Sequence, residues 1–296
     1  MSQLPQLLAF GLALGVVYAL IALGFVVIYR ASRVLNFAQG EMASLGAYLL
    51  LALIAVGAPW PVAILGAMVL TGLVGMGLER GILRPLIGRP VFITAIITIV
   101  LSFAIRTIIV IVWGTGRQGS TPAPWDLTGT FDVFGTAVLY NWVGTIVAGV
   151  LALSIFWLVF KRSKAGVAMR ATASDQEAAL GMGIPVGRVF MLTWFIAGAV
   201  AALGGAFLGM YPRAIDPNLG FFALTAFPAV IIGGLESPLG AVLGGLVLGV
   251  VQVLAQPFLN PYLGDGFHLV FPFVVMIVVL MIRPYGLFGQ PEVERV

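Results

Sequence analysis

The sequence predicts an all-α fold, a polytopic transmembrane helical bundle of eight or nine membrane segments, with one segment a candidate for a broken or re-entrant helix. Of its 296 residues, 61% are hydrophobic and only 9% are charged, whereas about a quarter of the residues in soluble domains are charged. Apolar runs of membrane-spanning length recur from end to end. We therefore interpret residues 1–296 as a single membrane domain.

The apolar segments follow one another along the chain, and about 20 helical residues are needed to cross a bilayer core. Their approximate bounds are 5–29, 42–57, 61–79, 91–113, 141–160, 189–210, 221–233, 239–256 and 268–282. The first has no basic residue before Arg30, unlike a signal peptide, so we expect it to remain as a span. The seventh is short and contains Pro228, which predicts a break that protein or water must cover.

The basic residues favour nine crossings, with the N-terminus outside and the C-terminus in the cytoplasm. This arrangement places 12 of the 15 basic residues on the cytoplasmic side, as the positive-inside rule predicts. They are Arg30, Arg33, Arg80, Arg84, Arg89, Lys161, Arg162, Lys164, Arg170, Arg188, Arg283 and Arg295. If the seventh segment did not cross, the basic loop at 161–190 would be on the wrong side.

Pairs of glycines four residues apart predict faces where helices approach closely in lipid. Such pairs are Gly11/Gly15, Gly205/Gly209, Gly240/Gly244 and Gly245/Gly249.

The long cytoplasmic loop at 161–190 is predicted to contain a helix of its own. Ser174 and Glu177 fit a capping box, in which the serine side chain accepts from the backbone of Glu177 and the glutamate reaches back. Gly181 and Gly183 end the helix, and the proline that follows prevents its resumption. A helix of about two turns needs packing to be stable. It is either a connector that caps the bundle or a docking element for a cytoplasmic partner.

The same loop resembles a known family. GVAMRATASDQEAALGMGI (166–184) resembles the coupling-loop motif of LivH-type permease subunits of ATP-binding-cassette importers for branched-chain amino acids. Three further segments are similar to signatures of that family: VLNFAQGEM (34–42), GGLESPLGAVLGG (233–245) and RPYGLFG (283–289). Gln39 stands where the family often has histidine, so the sequence does not support a titratable role there.

The resemblance implies a subunit that forms half of a transmembrane pathway for leucine, isoleucine and valine and works by alternating access. The implied partners are a second permease (LivM-type) or a second copy, two cytoplasmic ATPase subunits, an extracytoplasmic substrate-binding protein and the lipid bilayer of the cell (inner) membrane. It also implies that the coupling loop transmits ATPase closure. The residues expected to do so are Ser174, Asp175, Glu177, Ala178, Ala179, Leu180, Gly181 and Gly183.

The chain lacks the residues that would power transport or catalyse a reaction by itself. A Walker A loop needs a Gly-Lys pair, but Lys161 and Lys164, its only lysines, follow Phe160 and Ser163. We therefore expect no cofactor on this chain, with ATP and Mg on partner ATPases. One histidine and no cysteine give no convergent catalytic or metal-binding set, and no nucleic-acid partner is expected. The alternatives are a secondary transporter or channel, or a related cargo such as other amino acids, amides or urea.

Polar residues within the apolar segments are candidates for the substrate pathway. On the fourth segment they recur every four residues and form a slowly winding stripe, which either lines the pathway or forms interhelical hydrogen bonds.

Glu41 is either an interfacial carboxylate paired with Arg30 or Arg33, or a pathway residue near a helix break. Glu236 is expected to be a solvated turn residue on the cytoplasmic surface. The pathway candidates are Asn36, Gln39, Glu41, Thr94, Thr98, Ser102 and Arg106.

Overall fold

The computed structural model describes residues 4–86, 89–133, 135–210, 212–264 and 266–289. Within these ranges the protein is a multi-pass bundle of helices with one small hairpin. Six of the described helical stretches are long and apolar enough to cross a membrane, and three apolar helical stretches are shorter. The bundle consists of α1 (Leu4–Ser32), α2 (Gln39–Ala55), α3 (Trp60–Leu78), α4 (Val91–Trp113), α5 (Tyr140–Arg162), α6 (Lys164–Ser174), α7 (Gln176–Gly181), α8 (Val186–Leu208), α9 (Leu219–Leu224), α10 (Phe227–Gly233), α11 (Pro238–Leu263) and α12 (Phe267–Ile282).

Each predicted apolar segment coincides with a helix, except that the seventh is divided into two short helices. α9 ends at Leu224, and α10 begins at Phe227 with Pro228 in its first turn. Proline is tolerated there because its missing N–H would have no partner in the first helical turn. The predicted break in this segment is thus confirmed.

A β-hairpin in the loop between α4 and α5 was missed by the all-α prediction. Its strands are β1 (Thr130–Val133) and β2 (Thr136–Leu139), paired antiparallel. Gly135 supplies a positive φ of 78° at the turn, and its N–H donates to the Asp132 carboxylate. Just before β1, backbone N–H groups of Thr128 and Gly129 donate to Asp126 and lower its pKa.

α1 is the central helix, and it packs against α11 through two of the predicted glycine faces. A Cβ atom added to Gly11 would lie 2.9 Å from the Cα of Val250, and the backbone of Gly15 faces Gly249. Gly245 faces the backbone of Ala19 in the same way. Such close approach allows extensive backbone contact, which stabilises helix pairs in lipid.

The other two glycine pairs also lie at close contacts. Gly205 on α8 faces the carbonyl of Ala43 on α2, and Gly240 and Gly244 on α11 face α10. Three of the four pairs therefore lie at helix contacts with both glycines, and in the fourth Gly205 faces α2 whereas Gly209, just after α8, meets Thr121 and Ile215.

The segment between α1 and α2 turns back into the bundle. The side-chain amide of Gln39, the first residue of α2, donates to the carbonyl of Ala197 and lies against Gly24. Gly24 is eight residues before the end of α1 at Ser32, or about 12 Å along its axis. α2 therefore begins inside the bundle rather than at the end of the bundle where α1 stops.

The loop at 161–190 contains two helices, α6 and α7, where one was predicted. Ser174 is the last residue of α6, so the predicted capping box at this position is wrong. Instead Asp175, in an extended conformation at φ −157°, ends α6 and caps α7, its carboxylate accepting from the Ala178 N–H at 2.9 Å. The predicted end is confirmed, because α7 stops at Gly181 and Gly183 has a φ of 80°.

Candidate functional site

Three of the candidate pathway residues converge at the buried start of α2. The Asn36 side chain accepts from the Ala38 N–H and donates to the Gln39 side chain at 3.1 Å. Gln39 in turn donates to the carbonyl of Ala197 on α8 at 3.1 Å. Asn36 and Gln39 are fully buried, so these bonds fix the start of α2 and with it the position of Glu41.

Glu41 lies inside the bundle, where only 6% of it is exposed. Its carboxylate rests against Gly220 at the start of α9, and its Oε2 has no hydrogen-bond partner among the described residues. Arg33 pairs instead with Glu236 at the surface of the bundle, where each side chain is 44% exposed. Of the two alternatives for Glu41, the ion pair with Arg30 or Arg33 is not found among the described residues, because α2 begins too deep in the bundle. Glu236 is exposed, as expected for a residue in a solvated turn.

Two residues that the sequence analysis missed extend the polar surface of Glu41 along α2. Ser44 and Tyr48 are three and seven residues after Glu41, a spacing that places all three on one helix face. The hydroxyls of Ser44 and Tyr48 are also buried without a hydrogen-bond partner among the described residues. The Tyr48 ring packs against Trp113 of α4, with 5.3 Å between ring centroids. This polar face of α2 therefore points towards α4 and α9, and its helical spacing was visible in the sequence.

A buried polar atom without a partner is costly. Three of them on one helix face form a site that can accept polar groups from a substrate or from water.

The stripe on α4 does not act as one surface. Thr98 donates to the carbonyl of Leu35 and accepts from the N–H of Phe37, at 2.9 and 3.2 Å. Thr94 and Ser102 donate to carbonyls of their own helix. Thr98 therefore holds the non-helical segment that leads into α2.

Arg106, at the outer part of the stripe, connects α4 to the start of α9. Its guanidinium donates to the Asn218 side chain at 2.6 Å and lies over the Phe221 ring, 4.3 Å from the centroid. Because α9 begins beside Glu41, Arg106 and the polar face of α2 border the same short helix.

A cavity of about 350 Å³ opens near the start of α5, and the sequence analysis did not predict it. The indole N–H of Trp142 and one guanidinium nitrogen of Arg213 line it, both buried without hydrogen-bond partners among the described residues. Asp216 contributes a carboxylate, and the Arg213 guanidinium lies 4.2 Å from the centroid of the Phe222 ring. Two donors without hydrogen-bond partners and one carboxylate, beside apolar side chains, can orient a small molecule that has polar and apolar groups.

The predicted coupling residues lie on the short helix α7 and immediately beside it, and most of them are exposed. Ala179 is buried against Ala31 of α1 and against Phe190 of α8, and Gln176 donates to the carbonyl of Ala31 at 3.2 Å. The rest of the predicted set is exposed: Ser174, Asp175, Glu177, Ala178, Leu180, Gly181 and Gly183. Leu180 is 57% exposed, and the neighbouring Met182, which the prediction omitted, is 84% exposed. One buried alanine thus anchors α7, and small and apolar side chains face outward.

The fold is shared with a solved structure. PsaBC from Streptococcus pneumoniae in complex with Fab superposes with a TM-score of 0.55 and 13% sequence identity, over 97% of this chain and 94% of that one. At this identity the similarity establishes the fold alone.

Sequence comparison identifies the family. The family described as "Branched-chain amino acid transport system / permease component" matches residues 7–280. The chain is 33% identical to the high-affinity branched-chain amino acid transport system permease protein LivH of Salmonella typhimurium, over 97% of this chain and 96% of LivH. It is 34% identical to the corresponding permease protein BraD of Pseudomonas aeruginosa, over 98% and 97%. The chain therefore belongs to the family of permease components of branched-chain amino acid transport systems.

Proposed function

We propose that this chain is the permease subunit of an ATP-binding-cassette importer and forms half of a transmembrane pathway for leucine, isoleucine and valine. The relatives LivH and BraD, named for high-affinity branched-chain amino acid transport, support this cargo. The chain is a transport subunit and not an enzyme, since its relatives are permease components. ATP and Mg would bind to two partner ATPase subunits.

The observation that carries the proposal is the exposed helix α7. Leu180 and Met182 present apolar side chains outside the apolar spans, and exposed apolar groups of this kind mark interaction surfaces. Beside them, Ala178 is small enough for a groove to close around the helix. We infer that α7 docks in a cleft of the ATPase through this surface.

The contacts of α7 suggest how ATPase closure would reach the pathway. Ala179 packs against α1 and α8. α8 carries Ala197, whose carbonyl holds Gln39 at the start of α2. A shift of α7 would therefore displace α8 and change the position of Glu41. This chain of packed side chains and hydrogen bonds would couple ATP hydrolysis to alternating access.

We place the pathway beside the polar face of α2, with Glu41 near its middle and Arg106 closer to its outer end. Broken helices such as α9 and α10 expose backbone groups that can meet polar substrates. A second permease or a second copy of this chain would complete the pathway. An extracytoplasmic binding protein would deliver the amino acid.

We further propose nine crossings of the inner membrane, with a cytoplasmic C-terminus. Contacts between loops support this topology, because each joins segments that it assigns to the same side. On the cytoplasmic side Arg33 pairs with Glu236, and the Leu287 N–H donates to the carbonyl of Ile232 at 2.7 Å. On the outer side the Trp60 indole donates to the carbonyl of Pro122 at 2.8 Å. The predicted cytoplasmic Arg295 lies outside the described residues.

Copurification tests the docking surface. Tagged chain from its native membrane should retain a Walker-containing ATPase in stoichiometric amount, detected by mass spectrometry. Ala178→Trp should lose that ATPase, because a bulky side chain prevents closure around α7. Val167→Trp is the matched control, because Val167 is also exposed, on the neighbouring helix α6. If the chain purifies alone and moves leucine without ATP, it is a secondary carrier.

A further inference from the structure

A basic pocket of about 530 Å³ lies at the cytoplasmic end of the bundle. Arg30, Arg33 and Arg170 line it together with one carboxylate, that of Glu236. Glu236 pairs with Arg33, and no other ion pair is seen in the pocket among the described residues. The guanidinium groups of Arg30 and Arg170 both lie over the ring of Phe160, 5.9 and 5.5 Å from its centroid. The pocket therefore holds two more positive than negative charges, and two of the positive charges share one ring.

An apolar groove of about 560 Å³ continues from this pocket. It lies between α5 and α11, both of which pack against α1, and Val16 and Leu23 of α1 form its floor. Pocket and groove share Trp157, Pro238 and Leu239. One continuous surface thus changes from basic to apolar.

The groove has the depth of a lipid leaflet. On α5 its lining runs from Val150 to Arg162, about 18 Å along the helix, whereas the hydrocarbon core of a whole bilayer is about 30 Å thick. Lys161 and Arg162 lie at its cytoplasmic mouth and add positive charge there.

We propose that the pocket and the groove together bind one anionic phospholipid of the cytoplasmic leaflet. The phosphate would lie among Arg30, Arg33 and Arg170, and an acyl chain would fill the groove between α5 and α11. Basic pockets between helices on the cytoplasmic side are suited to anionic headgroups. A soluble anion would leave the groove empty, and an acidic protein partner would not reach into the membrane.

The bound lipid would also brace the coupling region. Arg170, Ala173 and Ser174 of α6 form part of the pocket, and α7 begins two residues after Ser174. A headgroup held by Arg170 would therefore fix α6 and the position of α7. This consequence rests on the proposed function of α7, whereas lipid binding itself does not.

Native mass spectrometry of the purified full-length chain tests the proposal. Delipidated protein is titrated with phosphatidylglycerol, with phosphatidylcholine of the same acyl chains, and with glycerol 3-phosphate. We expect phosphatidylglycerol to bind at least about tenfold more tightly than phosphatidylcholine, and glycerol 3-phosphate not to compete.

Variants separate the headgroup pocket from the groove. Arg30→Gln and Arg170→Gln should each weaken phosphatidylglycerol binding about fivefold. Arg80→Gln, which removes an exposed charge on the same side but outside the pocket, should not. Ser154→Trp fills the groove from an exposed position and should also weaken binding, even if an arginine variant fails to fold.

Three results would overturn the proposal. Equal binding of the two phospholipids, or an equal loss of phosphatidylglycerol binding in Arg80→Gln and Arg170→Gln, would show nonspecific adsorption. Competition by glycerol 3-phosphate with no effect of Ser154→Trp would show an anion site without a lipid. Exclusion of phosphatidylglycerol from the ATPase-bound complex, with Arg170 cross-linked to the ATPase, would assign the pocket to a protein partner. Because none of these readouts measures transport, failure of the lipid site would leave the proposed permease function standing.

Discussion

Glu41 is the residue on which the pathway assignment depends most. Its carboxylate is buried beside Gly220, and Oε2 has no hydrogen-bond partner among the described residues, although Asn36 and Gln39 hold the start of its helix in place. A structural carboxylate would be expected to have its oxygens satisfied. A carboxylate with an unpaired oxygen on a polar helix face is instead suited to bind a polar group of a substrate, or water, transiently.

Replacing Glu41 by Gln keeps the shape of the side chain and removes its charge. A hydrogen bond to a charged group contributes about 1.5–3 kcal/mol, so we expect leucine uptake to fall about tenfold or more. Folded yield should change little. Glu236→Gln, at a half-exposed carboxylate, is the control and should retain uptake. Unchanged uptake in Glu41→Gln would remove Glu41 from the pathway.

At the scale of the helices, close backbone contact and capping decide the arrangement. The α1–α11 pair depends on glycines that let the two backbones meet. α7 depends on its cap, on one buried alanine and on the hydrogen bond from Gln176 to the carbonyl of Ala31. The first feature holds the core of the bundle together. The second leaves a short helix whose position is easily shifted by a partner.

The glycine contact predicts a loss of stability in Gly15→Ala. The added methyl group would lie 2.9 Å from the Cα of Leu246, which forces the helices apart. Overpacking of this kind costs about 1–3 kcal/mol, so the thermal unfolding midpoint in detergent should fall. Gly77→Ala is the control, because a Cβ there meets no described atom within 4 Å. Equal unfolding midpoints for the two variants would contradict a close contact of α1 with α11 at Gly15.

The cap of α7 predicts different effects for two adjacent residues. Asp175→Ala removes the side chain that accepts from the Ala178 N–H, a loss of about 1 kcal/mol, and should reduce the amount of copurified ATPase. Ser174→Ala should have no such effect, since Ser174 ends α6 and does not cap α7. If Ser174→Ala loses more of the copurified ATPase than Asp175→Ala, the capping box that the sequence suggests would be supported instead.

At the scale of the whole molecule, hydropathy located every apolar segment, and Pro228 located the break in the seventh. The depth at which α2 begins could not be predicted, because it depends on contacts of Gln39 with Ala197 and Gly24, which are distant in sequence. For the same reason the sequence could not decide between the two alternatives for Glu41, and the pairing with Arg30 or Arg33 is not found among the described residues. The polar face formed by Ser44 and Tyr48 could have been predicted from their helical spacing. The cavity lined by Trp142 and Arg213 could not, because these residues are distant in sequence and meet only in the folded chain.

The proposed topology can be tested with single cysteines because the chain contains none. Ser174→Cys, exposed at the end of α6, should react with a membrane-impermeant thiol reagent only from the cytoplasmic side. Gly116→Cys, in open space in the loop after α4, should react only from outside. Labelling of both cysteines from the same side would show that an even number of crossings separates them, against the nine-crossing topology.

The proposed function requires that a separate ATPase, docked on α7, powers amino-acid uptake through this chain. This is tested by reconstituting the purified complex in proteoliposomes with ATP sealed inside, and by adding labelled leucine and the binding protein outside. We expect uptake that requires internal ATP and is lost in Ala178→Trp but retained in Val167→Trp. Equal leucine uptake with and without ATP would overturn the proposed function.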